Sequence, residues 1–571
     1  MTLSPQTEAQ IALQRQNTLF ALYRRCKVLV IEDNAQARGV LRAMLRELGI
    51  DEIDMAVSGQ AAIEWMSKAN YNIVLCDYHL GKGKDGQQVL EEARYRKYLK
   101  RSTVFIMVTA ETSVEMVMGA IEYQPDSYII KPFTKLELRL RLDRTMQGKI
   151  EYQAIDDALE RGNLGKAIIL CDESIASDKQ TPTRILRIKA ECLLGQQEYA
   201  LAKQQYEAVL AERDIVWAQI GLARAEFELG HYDAAEQLFR RLLKTHPNLV
   251  ECYDWLARVQ VAQSQPTAAQ DTLEEATTRS PKAVLRQMEL ARLAFSNGSY
   301  EVAEKAYKRS IKLANDSCYR SPDNFLHYVD TLLVKVNTTK SRTSLSAFDE
   351  ALACLKRLRK EFTGNALIDF RGVMLEGRLR YENGQVDEAI KTLQRAADMF
   401  SLLNQKCQLN FADELVTHMA MTGQIEASHA FVAGLEDSHE PELMTHLRKC
   451  IAGCEQCLAS NALNAEAQAL YVRGQITAAC VKFGEAARTP GASIDVLLNG
   501  LKVCVELVER PDLNTQEWHN KCAVFLFALH GLNTGDHRYA LYQSLQARLD
   551  VVAQQRLAQP SQAFKQTYIH S

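Results

Sequence analysis

From about residue 190 onward the chain repeats itself every 33 or 34 residues, and few folds satisfy such a constraint. Ala202, Ala235, Ala269 and Ala303 follow one another at 33, 34 and 34 residues. Ala190, Ala223, Ala257 and Ala291 keep the same spacings, as do Tyr206, Phe239, Leu273 and Tyr307. Pro247 and Pro281 close two of the units. The intervening pattern is almost wholly helical, so each unit reads as a pair of helices. The small residues let paired helices approach, and the larger apolar residue fills the gap to the next pair. A single unit cannot bury its apolar face alone, and stacking is the solution.

This unit resembles the tetratricopeptide repeat. An earlier copy fits around Gly162 and Ala167, and a later one around Gly377, Gly384 and Ala389. Weaker copies occur near Gly423 and near Gly474, Ala479 and Phe483. The polar stretch NTTKSRTSLS, Asn337 to Ser346, reads as an inserted loop that breaks the period between Ala303 and Ala351. The expectation is an α-solenoid of about eight helical pairs. Regular repeats would occupy 149–315 and degenerate ones 316–493, with capping helices over 494–571.

Net charge matters for the partner class. The 71 acidic residues nearly balance 68 basic ones, leaving a charge of -3, which disfavours general binding to nucleic acid or a membrane surface. No apolar run approaches the ~18 residues of a membrane span. Residues 1–25 lack the basic start and continuous apolar core of a signal peptide and read as a short amphipathic helix. Fourteen scattered cysteines, mostly within helical patterns, suggest reduced thiols and a cytoplasmic protein. Cys450, Cys454 and Cys457 have the spacing of some iron–sulfur ligands. Their surroundings are helical, however, and a buried-thiol reading on one helix face is preferred.

Ahead of the repeats, over 26–148, strands and helices alternate. Apolar strand-like runs lie at Val28–Ile31, Met55–Val57, Ile73–Cys76, Val104–Val108 and Tyr128–Ile130. Between the first two, Val40, Leu41, Met44, Leu45 and Leu48 fall on one side of a helix. Alternation of this kind gives a parallel sheet covered on both faces, with its site outside the carboxyl ends of the strands. Polar residues stand at those ends: Glu32 and Asp33, Asp77, Thr109, and Lys131 followed by Pro132.

This ordered set resembles the receiver domain of two-component response regulators. The resemblance implies a flavodoxin-like (βα)5 fold with strand order 2-1-3-4-5. It makes Asp77 the phosphoacceptor and Glu32 and Asp33 the acidic pocket. It places Mg2+ on Asp33, Asp77 and the backbone carbonyl of His79, with Glu32 beside them. Thr109 and Lys131 would contact the phosphoryl group, and Tyr128 stands at the aromatic switch position. His79 and Glu111 would flank the phosphoryl site. The loop after Asp77 departs from the common pattern: Gly81 stands where a proline is frequent, and one extra residue precedes Asp85 and Gly86. Taken singly, Asp77 could begin a turn, and Glu32 or Asp33 could cap a helix.

No second catalytic constellation or DNA-binding module is visible, so the chain is not expected to be an enzyme beyond the receiver. The expected function is that of a phosphorylation-dependent response regulator. A sensor histidine kinase or phosphotransfer protein would be its donor, and the solenoid would bind a protein as output. The alternative is a constitutive scaffold, or phosphate sink, whose receiver docks a kinase without switching the repeats. Arg224, Arg258 and Arg292 recur at 34 residues, and Arg378 stands at the matching place after Gly377. Three positions on from the first three, Phe227, Val261 and Phe295 share their face. Such a ladder suits an acidic, partly hydrophobic helix or peptide, or else pairs with acids on adjacent helices. No Pro-, Gly- or Ser-rich tether separates the last receiver helix from the first solenoid helix, so close packing at Gly148 is expected. In the receiver family Thr109 and Tyr128 would then bias a surface that Leu136, Leu138 and Leu140 help build or support.

Overall fold

The computed structural model describes residues 21–110, 125–177, 183–338, 342–435, 441–510, 515–532 and 538–557. Most of the expected N-terminal helix, Glu111 and the end of the C-terminal cap lie outside these residues. Two units divide the chain, Met1–Asn324 and Phe325–Ser571.

The first unit begins with five parallel strands: β1 (Lys27–Ile31), β2 (Glu52–Ala56), β3 (Ile73–Asp77), β4 (Val104–Thr109) and β5 (Ser127–Ile130). Their order is β2-β1-β3-β4-β5. Strands β3 and β4 are buried throughout, as their continuous apolar runs require. Strand β2 starts three residues before the expected run, because this edge strand, EIDMA, alternates charge with apolar residues.

Helices α1 (Ala35–Glu47), α2 (Gly59–Lys68), α3 (Gly86–Tyr95) and α4 (Lys135–Glu151) flank the sheet. Each has a polar side chain satisfying otherwise orphaned first-turn amides: Asn34, Ser58, Asp85 and Thr134. Leu41, Leu45 and Leu48 of the first helical segment enter the core, whereas Val40 is exposed, contrary to the sequence expectation. Tyr23, just before β1, is buried and donates to Asp143 Oδ1 of α4 at 2.5 Å.

Helix α4 runs through Gly148 to Glu151, and α5 (Gln153–Glu160) follows after one residue. Side chains tie the junction to its neighbours. Lys149 donates to the carbonyl of Arg101 at 2.6 Å and pairs with Asp126 at 2.7 Å, while Arg184 reaches the carbonyl of Gly148 at 3.3 Å.

Helical pairs then continue: α5 with α6 (Leu164–Ser177), α7 (Thr183–Gly195) with α8 (Tyr199–Glu212), α9 (Val216–Glu228) with α10 (Tyr232–Thr245), α11 (Val250–Ala262) with α12 (Pro266–Arg279), and α13 (Val284–Ser296) with α14 (Tyr300–Leu313). The repeated alanines are all buried, and so are Tyr206, Phe239, Leu273 and Tyr307. Gly221 of α9 shows how tight the approach is. A methyl group there would lie 2.2 Å from the Tyr206 ring, far inside contact distance.

The second unit continues the pattern in the pairs Pro322–Glu361, Ala366–Phe400, Gln405–Ala433 and Pro441–Arg488, the first of which begins just before the boundary. With the five above, this makes nine pairs among the described residues. Most of the expected inserted loop is corrected: one helix runs to Thr338 (17 residues) and the next starts at Arg342 (20 residues), while 339–341 lie outside the described residues. Cys450, Cys454 and Cys457 lie along the helix Pro441–Val472, with Cys454 buried. The C-terminal helices Ile494–Val508, Thr515–Leu529 and Tyr539–Leu557 share one apolar core with the end of the repeats.

Candidate functional site

Register assembles the acidic site. Ile31 of β1 pairs with Cys76 of β3, so Glu32 and Asp77 leave neighbouring strands at the same level. Asp77 in turn pairs with Val108 of β4, which puts Thr109 one position further on. Lys131 follows β5, and its amide donates to the carbonyl of Thr109 at 2.7 Å. Five residues scattered over a hundred positions thus meet at one sheet end. Asn34 and Asp85 take the capping roles, so neither Glu32, Asp33 nor Asp77 serves as the cap of α1 or α3.

Glu32, Asp33 and Asp77 each offer a carboxylate oxygen within 4.8 Å of the others, with Glu32 and Asp77 buried and Asp33 exposed. At that separation two unit charges repel by roughly 3 kcal/mol at an effective dielectric of ~20. One cation answers them. Lys131 Nζ lies 2.7 Å from Glu32 Oε2 and 2.8 Å from Asp77 Oδ2. Burial alone would lower the lysine's pKa, but its bonds to Asp77 and Glu32 outweigh that and hold it above the ordinary value. Three carboxylates against one ammonium leave an excess of negative charge. An all-oxygen donor set with that excess fits a hard divalent cation. Among the described residues no other group of three His, Cys, Asp or Glu converges in this way.

Backbone contacts stiffen the surroundings. Arg38, which the sequence reading did not single out, donates to the carbonyls of Glu32 and Asp33 at 2.7 and 2.8 Å. No motif announces that role. The amide of His79 lies 3.4 Å from Asp77 Oδ1. Gly81 has φ of +69°, which a proline cannot adopt, and a methyl there would approach Asp33 Oδ2 at 3.0 Å. Gly86 packs on the carbonyl of Asp77, where a methyl would stand at 2.3 Å. Thr109 is buried. Tyr128 is half-buried against the core that contains Met107 and Tyr78, and its hydroxyl has no hydrogen-bond partner among the described residues. Leu138 is fully buried, while Leu136 and Leu140 are exposed.

The arginine ladder divides. Arg224 lies 3.4 Å from Glu191, and Arg292 pairs with Glu289 at 2.7 Å. Arg258 stacks its guanidinium 4.7 Å from the Trp255 ring, and Arg224 approaches the same ring at 5.2 Å. Arg378, in the second unit, faces His418 Nε2 at 3.4 Å. Phe227 and Phe295 do not form a free row with exposed Val261. Phe227 packs on Tyr232 and Trp255, and Phe295 packs on Tyr300.

Comparison with known proteins places these parts. A family model described as response regulator receiver domain matches residues 28–143. Models described as tetratricopeptide repeat match residues 216–259, 256–317 and 344–402. Chemotaxis protein CheY-3 of Vibrio cholerae is 29% identical over 126 residues, 22% of this chain and 95% of that protein. Chemotaxis protein CheY of Pseudomonas aeruginosa is 26% identical over 121 residues, 21% of this chain and 96% of that protein. Among solved structures, the receiver domain of a Francisella response regulator is 25% identical, covering 21% of this chain and 97% of that one, with a TM-score of 0.20. The chain is a response regulator receiver domain fused to tetratricopeptide repeats. This domain content supports a response regulator that carries a protein-interaction module. No described helix is long and apolar enough to cross a membrane.

Proposed function

We propose that Asp77 receives a phosphoryl group from a phosphohistidine of a sensor kinase or phosphotransfer protein, and that the repeats bind a protein as output. The observation that carries this reading is Lys131 bridging Glu32 and Asp77 beside a third carboxylate. A carboxylate is a weak nucleophile facing an anionic donor, so catalysis here is charge neutralisation and positioning. An Asp77 oxygen forms a bond to phosphorus as the donor's N–P bond breaks, and the departing imidazole keeps the electron pair. Lys131 shifts from the carboxylate to a phosphoryl oxygen while staying on Glu32. Thr109 donates its hydroxyl to another phosphoryl oxygen. Asp33, Asp77, Glu32 and the His79 carbonyl would hold Mg2+, directly or through water. The bound ion supplies charge neutralisation of the phosphoryl oxygens.

For the output, an acidic amphipathic segment suits Arg258, whose guanidinium lies against the Trp255 ring. Arg224 and Arg292 are engaged by Glu191 and Glu289. The test is phosphorylation of the full chain by a small phosphodonor with Mg2+, beside an Asp77→Asn variant, followed by partner binding with and without beryllofluoride. Labelling of Asp77 with equal partner affinity in both states would favour the constitutive scaffold.

A further inference from the structure

The lengthened loop after Asp77, which departs from the usual receiver pattern, is built into a contact with the repeats. Lys84 donates to the backbone carbonyl of Asp316 at 2.6 Å, across 232 residues of sequence. The same ammonium lies 2.9 Å from Glu92 of α3, both side chains being nearly buried. Beside it, Lys282 Nζ, just before α13, stands 5.7 Å from the centre of the Tyr78 ring. Burial pushes the Asp85 carboxyl upward, and the Gln88 amide followed by the charge of Lys282 works against that push. Further along α3, the Tyr95 and Tyr319 rings meet edge to face at 5.6 Å. The turns before α13 and after α14 therefore hold both the loop and α3.

Asp77 is mechanically close to this contact. The carbonyl of Asp77 packs directly on Gly86 at the start of α3, and the amide of Gly86 donates to the carbonyl of Tyr78 at 2.8 Å. On the other side, a methyl at Gly59 would lie 2.7 Å from Lys84 Cβ and from its carbonyl oxygen. The loop is wedged between α2 and the end of β3, so it has little room to absorb a shift of Asp77 unnoticed. Charge acts in one direction. Turning a carboxylate into an acyl phosphate adds negative charge next to Tyr78, and the repeats meet Tyr78 with a lysine.

We propose that the loop from Tyr78 to Asp85 is the intramolecular readout of Asp77, tightening onto the repeat turns around Lys282 and Asp316 when Asp77 is phosphorylated. This rests on Asp77 being the phosphoacceptor. The route is separate from the helical junction at Gly148 and from the surface around Leu136 and Leu140. It makes the turns at residues 280–283 and 314–319 sensors of the receiver.

The experiment is amide hydrogen exchange on the full chain with Mg2+, with and without beryllofluoride, together with direct phosphoryl labelling of the same preparation. Exchange in segments 78–85, 280–283 and 314–319 should slow together by about 1.5- to 5-fold, the size of a partly exposed charge contact. Lys282→Met should abolish the slowing at 280–283 while Asp77 still takes label. Labelled Asp77 with unchanged or faster exchange in these turns overturns the readout and leaves the phosphoacceptor intact. Absence of label on Asp77 removes both.

Discussion

Lys131 Nζ lies 2.8 Å from Asp77 Oδ2, and the same nitrogen also serves Glu32, so one side chain neutralises carboxylates from two strands. Removing it leaves the buried Glu32 and Asp77 facing each other without a cation. Lys131→Met should therefore destabilise the receiver by about 1–3 kcal/mol in chelator. Added Mg2+ should recover much of that loss, because the ion replaces the missing charge. Thermal melts with and without Mg2+ check this, and a variant as stable as wild type in chelator would contradict it.

Gly221 and Gly453 are both helical, yet opposite outcomes are expected when each becomes alanine. Alanine is the better helix former by about 1 kcal/mol. At Gly453 nothing stands within 4 Å of the added methyl, so the protein should gain about 0.5–1 kcal/mol. At Gly221 the methyl meets the fully buried Tyr206 ring, and a loss of about 1–3 kcal/mol should override propensity. Denaturant melts of both variants decide the matter.

His418 introduces a pH dependence in the second unit. Burial, and then the charge of Arg378, lower its pKa from 6.5 to about 3. A depressed histidine contributes stability that is fully present above 6.5 and is lost as pH falls toward 3. Between about pH 7 and about pH 5 the loss should be on the order of 2 kcal/mol. Glu382 and Glu414 are pushed upward by burial and act in the opposite sense. The difference between wild type and His418→Leu therefore isolates the histidine. Parallel pH–stability curves for the two proteins would refute this.

Among the ladder arginines of the first unit, Arg258 should matter most to an acidic amphipathic helix. Arg258→Glu should weaken binding on the order of tenfold. Arg292→Ala should do much less, because Glu289 already holds that guanidinium. Titration with a labelled acidic helix and with a lysine-substituted control checks both sign and order. Equal affinities for wild type and Arg258→Glu would remove the ladder from the binding surface.

Much of this fold is legible in the sequence because its signals are local or periodic. Glu32, Asp77, Thr109 and Lys131 each end an apolar run, and parallel register does the rest. The alanine periods mark helix contacts that are indeed buried. Less legible is whatever depends on distant partners. Strand β2 hides because charged residues alternate with apolar ones and only Ala56 is buried. Trp255 gives no periodic signal, although two arginines approach its ring. The contact of Lys84 with Asp316 joins a glycine-rich loop to an irregular turn, neither of which has a pattern. In the sequence Gly81 reads only as a departure from the common loop pattern, and its positive φ beside Asp33 is the reason for it.

The most direct test of the receiver's role is to map the phosphorylated residue in the full chain. The protein is incubated with a phosphohistidine donor and Mg2+, and the adduct is located by mass spectrometry after borohydride trapping. The expected result is one acyl phosphate on Asp77, absent with chelator and absent in Asp77→Asn. Label that persists in Asp77→Asn, or forms equally well without a divalent cation, would contradict the assignment of this site.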